Sequence, residues 1–236
     1  MGELDGGLMS ARIRWGDVED RDVHPFDVPA IRHTDRVDLS APVTFFVGEN
    51  GSGKSSLLEA IVTAAGVNPE GGTRNLRFSN RPTESDLHRH VELHWRTRPS
   101  WAFFLRAETF FDMATAYEEA EERGLHERSH GQQFLHAANE KLSPGGLHFM
   151  DEPEAALSVT GQLSMLRRIH DVQAEEGQFV IATHSPILLA YPGAVIYEFT
   201  DAGLERVAYE DAQPVRLTKS FLDDPDRFFH HLLADD

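Results

Sequence analysis

Four short clusters in this chain hold residue types that do phosphate chemistry, at spacings such chemistry requires. Gly48-Glu49-Asn50-Gly51-Ser52-Gly53-Lys54-Ser55 fits G-x-x-x-x-G-K-[ST], a loop whose backbone N–H groups turn inward onto phosphate oxygens. Its glycines let the backbone curl, and the helix that begins near Lys54 adds a positive N-terminal dipole. In that motif the lysine reaches the β- and γ-phosphates and the following hydroxyl, here Ser55, ligates Mg²⁺. Leu147-His148-Phe149-Met150-Asp151-Glu152-Pro153 is an apolar strand that ends in two acids. Phosphoryl transfer to water needs one carboxylate that holds Mg²⁺ and one that orients or deprotonates the water, and adjacent strand-end acids supply both. Ala182-Thr183-His184-Ser185-Pro186 follows another apolar strand, where an imidazole can donate to a phosphate or to the attacking water. Ser129-His130-Gly131-Gln132-Gln133 opens a helix. A Ser and a Gly there make either a second phosphate surface or a plain N-cap.

These clusters need a scaffold that brings strand ends together. Val43-Thr44-Phe45-Phe46-Val47 reads as a buried strand entering the loop, and Ser56 to Val62 as the helix leaving it. Residues 147–150, 179–182 and 194–197 read as further buried strands, and Ser158 to Glu176 as an amphipathic helix with Val159, Leu163, Leu166, Ile169 and Val172 on one face. Strands alternating with helices imply a mostly parallel α/β core. Short strand-like pieces in 11–40 suggest an antiparallel patch. So does the period-two run 87–96, with 101–106 as its neighbour. Residues 112–123 and 131–141 read as helices, 66–82 as a long loop, and 219–233 as a last helix with Phe221, Leu222, Phe228, Phe229, Leu232 and Leu233 for packing. Residues 1–10 read as a flexible leader. His88, His90, Glu92 and His94 share a face, but same-face residues on a strand sit about 7 Å apart. They read as a solvated face rather than a metal site.

The chain has 236 residues and a net charge of −17, with no cysteine. Disulfides, thiolate zinc sites and thiol nucleophiles are therefore excluded. The acidic balance argues against a protein that simply coats DNA, because phosphate binding needs Lys and Arg. Much of the positive charge lies between residues 74 and 106 (Arg74, Arg77, Arg81, Arg89, Arg96 and Arg98), where a mixed-charge surface is favoured over a basic groove. No run reaches the ~18 apolar residues of a membrane span. The first residues lack a basic and apolar signal segment, so a cytoplasmic location is expected.

Taken together, the order and spacing of the four clusters resemble the ABC-type ATPase superfamily, over residues 43 to about 186. Arg128-Ser129-His130-Gly131-Gln132 looks like a degenerate copy of that family's L-S-G-G-Q signature. Asp151-Glu152-Pro153-Glu154-Ala155-Ala156-Leu157-Ser158 is similar to small stand-alone AAA-family members related to the SMC and RecF branch. The resemblance implies a single P-loop NTPase domain over 1–236, α/β, with a mostly parallel sheet, an antiparallel patch and a small helical signature subdomain. It implies ATP and Mg²⁺ as cofactors, with ATP held by Gly48, Glu49, Asn50, Gly51, Ser52, Gly53, Lys54, Ser55 and Ser56. Ser55 and Asp151 would form the Mg²⁺ shell, Glu152 would be the base, and Lys54 and His184 would contact the γ-phosphate. It also implies a head-to-tail homodimer in which Ser129, His130, Gly131 and Gln132 of one copy face the nucleotide of the other. The chain departs from the family in three places. Ser158 or a neighbour replaces the D-loop Asp. No Q-loop glutamine is evident, with Glu108 at its place. No adenine-stacking aromatic is evident: Phe26 is a candidate, with ordinary packing the favoured reading.

Two functions follow from the resemblance. One is an ATP-driven dimerisation switch acting on a protein or nucleic-acid partner. The other is the ATP-binding subunit of a membrane transporter, docking on a permease. The missing Q-loop glutamine and standard signature favour the first, and no long coiled-coil arm fits between Ser56 and Ser129.

Overall fold

A computed structural model of the chain describes residues 7–73, 85–110 and 130–233. Its strands are β1 (Gly7–Ile13), β2 (Arg36–Asp38), β3 (Val43–Val47), β4 (Gly72–Thr73), β5 (Val91–Thr97), β6 (Ala102–Arg106), β7 (Leu147–Asp151), β8 (Gln178–Ala182), β9 (Val195–Thr200) and β10 (Gly203–Val207). Seven form one sheet in the order β10-β9-β3-β8-β7-β6-β4, and β2-β1-β5 form a second. The central strands from β9 to β6 are parallel, and the edges β10 and β4 are antiparallel. Every residue of β3, β7 and β8 is buried, the pattern of strands covered on both faces. The fold is thus mixed α/β with a mostly parallel sheet and an antiparallel patch.

Successive side chains of β3 point to opposite faces, so each face gets its own core. Phe46 packs with Leu57 and Ile61 of the P-loop helix (Lys54–Ala64) and with Leu8 and Val37 of the small sheet. Phe45 and Val47 pack with Phe134, Met165, Ile169 and Leu188 from the helices His130–Lys141, Val159–Ala174 and Pro186–Leu189. Gln178 pins the two sheets together. Its buried amide accepts from Leu8 N–H (2.8 Å) and donates to Leu8 O (2.8 Å) and Leu39 O (2.6 Å). Those backbone groups sit where water cannot replace the bond.

Several expectations are corrected. The leader expected over 1–10 is strand from Gly7 onward, with Leu8 and Ser10 fully buried, because Gln178 ties that edge down. Residues 87–90 form a helical turn, and the period-two strand starts at Val91. β6 is not the neighbour of β5: it pairs with β7, while β5 pairs with β1. Four consecutive buried residues, Ala102 to Leu105, mark β6 as a central strand instead. The helix Val159–Ala174 buries Gly161, Met165, Ile169 and Val172, leaving Val159 and Leu163 exposed, so its inward stripe is rotated from the one expected. The last helix is two, Gln213–Asp223 and Pro225–Leu232, broken where Pro225 cannot continue the ladder. Phe221 stacks on Phe228 and Phe229, but Leu222, Leu232 and Leu233 are exposed rather than packed. The expected helix 112–123 lies outside the described residues.

Candidate functional site

Sheet register brings the clusters to one edge. Phe46 lies opposite Ala182, Asp151 opposite Ala182, and Arg106 opposite Asp151. The carboxyl ends of β3, β8, β7 and β6 are therefore level, and the loops that leave them share a crevice. Ligands of open parallel sheets bind at such an edge.

The loop after β3 closes around its own lysine. Gly48 (φ 152°) and Gly53 (φ 97°) adopt conformations that side-chain residues rarely reach. A Cβ at Gly48 would lie 2.9 Å from Ser52 Oγ, and one at Gly53 would lie 3.0 Å from Ile31 and Val28. Lys54, 3% exposed, donates from Nζ to Gly48 O and Glu49 O, both at 2.9 Å. Burial lowers its pKa, against the opposing pull of Glu152, Asp151 and Glu154. Ser52 Oγ is buried and has no hydrogen-bond partner among the described residues. Asn50 and Gly51 lie at the loop's exposed tip, and Ser56 is half-buried in the first turn of the helix. Glu49 accepts a 2.7 Å bond from Gln213 Nε2, which docks the start of the helix Gln213–Asp223 beside the loop.

The P-loop meets the acids directly. Ser55 Oγ donates to Asp151 Oδ1 at 3.0 Å. Burial pushes the Asp151 carboxyl up to about 6, opposed by the Arg106 guanidinium and the Ser55 hydroxyl and reinforced by Glu152 and Glu59. Glu152 follows in the left-handed region (φ 45°, ψ 50°), costly for a residue with a side chain, and is held there by its N–H bond to Ala182 O at 2.9 Å. Its Oε1 stands 3.4 Å from His184 Nε2. Glu154 accepts the His184 backbone N–H at 2.5 Å, fixing the histidine to the turn after the acids.

Sequence reasoning missed three participants: Arg106, Glu59 and Glu154. Arg106 reaches Glu59 (Nη1, 2.7 Å), Glu108 (Nη2, 3.1 Å) and Asp151 (Nε, 3.7 Å). A cleft of about 420 Å³ is lined by Ser55, Arg106, Glu108, Asp151, Glu152 and Ala156. The available signal was the strand end itself, since Arg106 closes an apolar strand as Asp151 does. Glu108 lines the cleft and pairs there with Arg106. Burial raises the Glu59 pKa, with Arg106 opposing.

Other expected residues fall differently. Ser129 lies outside the described residues. His130, Gly131 and Gln132 open the helix His130–Lys141, and a Cβ at Gly131 would sit 3.1 Å from Ala156 O, so this helix start leans on the turn after Glu152. Ser158 caps its own helix, accepting from Gly161 N–H at 3.1 Å. Phe26 is 4% exposed and sits edge-on to Trp15 and His90, which makes it a packing residue. Arg74, Arg77 and Arg81 lie outside the described residues. Arg89 pairs with Asp86, and Arg98 donates to Ala65 O. No group of three or more metal-ligating residues occurs among the described residues, the strand histidines included. Nor is any described helix long and apolar enough to cross a membrane.

Ser55 Oγ and Asp151 Oδ1 are hard oxygen donors within one coordination sphere of each other, which suits Mg²⁺. Residues 23–93, which include the P-loop, match a family model described as an AAA domain. No curated protein matches the chain. Among solved structures it is similar to an SMC head domain from Thermotoga maritima, at 14% identity over 85% of this chain and 98% of that one, with a TM-score of 0.46. It is also similar to a nucleotide-free ATP-binding cassette from an ABC transporter, at 16% identity, 93% and 96% coverage and a TM-score of 0.47. A further cassette, in its ADP conformation, matches at 15% identity over 100% of both chains, with a TM-score of 0.47. The matched AAA-domain segment contains the P-loop, and the structure sets Asp151 against that loop and Glu152 beside His184.

Proposed function

We propose that this chain, acting as one domain in the cytoplasm, binds and hydrolyses Mg·ATP, and that two copies close head to tail around the nucleotide to move a protein or nucleic-acid partner. The observation that carries the reading is the Ser55–Asp151 hydrogen bond, which joins the phosphate loop to the acid pair across 96 positions of sequence. In this reading the loop from Gly48 to Ser56 wraps the phosphates and Lys54 exchanges its two carbonyl partners for phosphate oxygens. Ser55 and Asp151 hold Mg²⁺, which supplies charge neutralisation at the β- and γ-phosphates. Glu152 takes the proton of the attacking water. His184, braced through its backbone by Glu154, donates to the γ-phosphate or orients that water. In this reading Ser129, His130, Gly131 and Gln132 of a second copy close over the cleft.

The transporter reading requires a Q-loop side chain at the end of β6 that couples to a permease. Here that strand ends in Arg106, which is bonded to Glu59 and Glu108 and stands beside Asp151 of its own domain. The first reading is the better supported.

The test is Glu152→Gln. Nucleotide binding by calorimetry should persist, turnover should fall by about 10²–10⁴-fold, and light scattering with ATP should show a dimer. Turnover at the normal rate would place the base elsewhere. A monomer at saturating ATP would remove the closure step.

A further inference from the structure

The end of β6 carries an arrangement that the nucleotide reading does not use. Glu59 on the P-loop helix, Glu108 after β6 and Asp151 at the end of β7 converge on the single guanidinium of Arg106. Its side chain is 17% exposed, and its contacts with Glu59 and Asp151 form largely out of water, whereas Glu108 approaches from the solvent side. Nη1 and Nη2 bind Glu59 and Glu108 closely. Nε stands 3.7 Å from Asp151 Oδ2, beyond hydrogen-bond distance, and has no acceptor among the described residues. Arg106 is thus anchored by two glutamates and held against the third carboxylate without bonding it. Asp151 meets Ser55 through Oδ1 and this charge through Oδ2. The nearby cation Lys54 is turned away into the P-loop, onto Gly48 O and Glu49 O.

Resting on the reading that Ser55 and Asp151 take the divalent cation, we propose that Arg106 is a positioning residue that excludes this cation until nucleotide arrives. A fixed positive charge beside Asp151 repels a bare divalent ion in a partly buried site, where screening is weak. A polyphosphate brings several negative charges and its own oxygen ligands, so the same ion then enters with the nucleotide. Without that charge, Ser55 and Asp151 would offer their hard oxygens to any hard cation. Arginine suits the task because its planar fork reaches several carboxylates at once, whereas lysine offers a point charge. A purely structural arginine would act differently, since its loss would loosen β6 and weaken every ligand together.

Binding of Mn²⁺, read by the electron paramagnetic resonance signal of the free ion, separates these cases without reference to turnover. The wild-type chain should bind Mn²⁺ weakly alone and tightly with ATP. Arg106→Gln should bind Mn²⁺ alone at least tenfold more tightly than wild type, and adding Asp151→Asn should abolish that gain. Arg106→Lys, which keeps a charge and serves if the glutamine variant does not fold, should show a smaller gain of the same sign. Unchanged or weaker Mn²⁺ binding in the folded variants overturns the proposal, as does tight binding of Mn²⁺ to the nucleotide-free wild type. Failure of the wild type to bind Mn²⁺ with ATP would instead overturn the nucleotide–metal assignment of the cleft.

Discussion

Glu152 occupies the left-handed region at φ 45° and ψ 50°, at the position proposed for the base. A residue with a Cβ costs about 1–2 kcal/mol there. Bonds on both sides hold the backbone in place, from Glu152 N–H to Ala182 O (2.9 Å) and from Ala155 N–H to Glu152 O (3.0 Å). Glu152→Ala removes the carboxylate and keeps the strain, whereas Glu152→Gly removes both. Comparing the two cancels the loss of the side chain, including its repulsion of Asp151. Glycine recovers the conformational cost but spends about 0.5–1 kcal/mol on ordering a more flexible unfolded chain. The glycine variant should therefore be more stable than the alanine variant by about 0.75 kcal/mol at the midpoints of these ranges, or roughly 1.5–3 °C in melting temperature for a chain of this size. Calorimetric melting of the nucleotide-free proteins measures it directly, and neither variant should turn over ATP. An alanine variant as stable as the glycine variant, or more so, would refute the claim that strain is stored where the carboxylate is placed.

Two further outcomes follow from buried groups. The Asp151 carboxyl is raised from 3.8 to about 6, so between those values the folded chain keeps a proton that the unfolded chain has released. Its contribution to stability therefore falls as pH rises through that window, by up to about 1.4 kcal/mol per pH unit. Asp151→Asn should melt above wild type at pH 7.5, with the gap closing toward pH 4; a gap independent of pH across this range would contradict the assignment. Gln178→Leu deprives Leu8 N–H, Leu8 O and Leu39 O of their partner in a dry interface. At about 1–3 kcal/mol for each orphaned group, urea denaturation should register a loss of about 3 kcal/mol or more. A loss below about 1 kcal/mol would mean that the two sheets are not joined there.

Local signals carried far in this chain. The G-x-x-x-x-G-K-S loop, its buried strand and its helix could be read from residues 43–62, because glycine conformations and side-chain periodicity are properties of short segments. The acid pair after β7 and the histidine after β8 were legible for the same reason, as polar residues that stop apolar runs. Sheet order was less accessible. Residues 101–106 look like a hairpin partner of 87–96, yet β6 lies in the other sheet beside β7. Four successive buried residues could have signalled this, but pairing partners are chosen by the whole core. The stripe of the helix Val159–Ala174 was misjudged likewise, since Leu163 and Met165 are equally apolar and only packing against the sheet decides which turns inward.

What the sequence by itself determined, then, is the chemistry on offer: a phosphate loop, two strand-end acids and a histidine, each set by neighbours within a few residues. Only the tertiary structure decided what those groups meet. Register between β3, β8, β7 and β6 levelled their ends, put Ser55 on Asp151 and Glu152 near His184, and drew Glu59, Glu108 and Asp151 onto Arg106. Apart from the Arg106–Glu108 pair, such meetings join residues tens of positions apart, and their energies depend on burial and on charge neighbours that no local window contains.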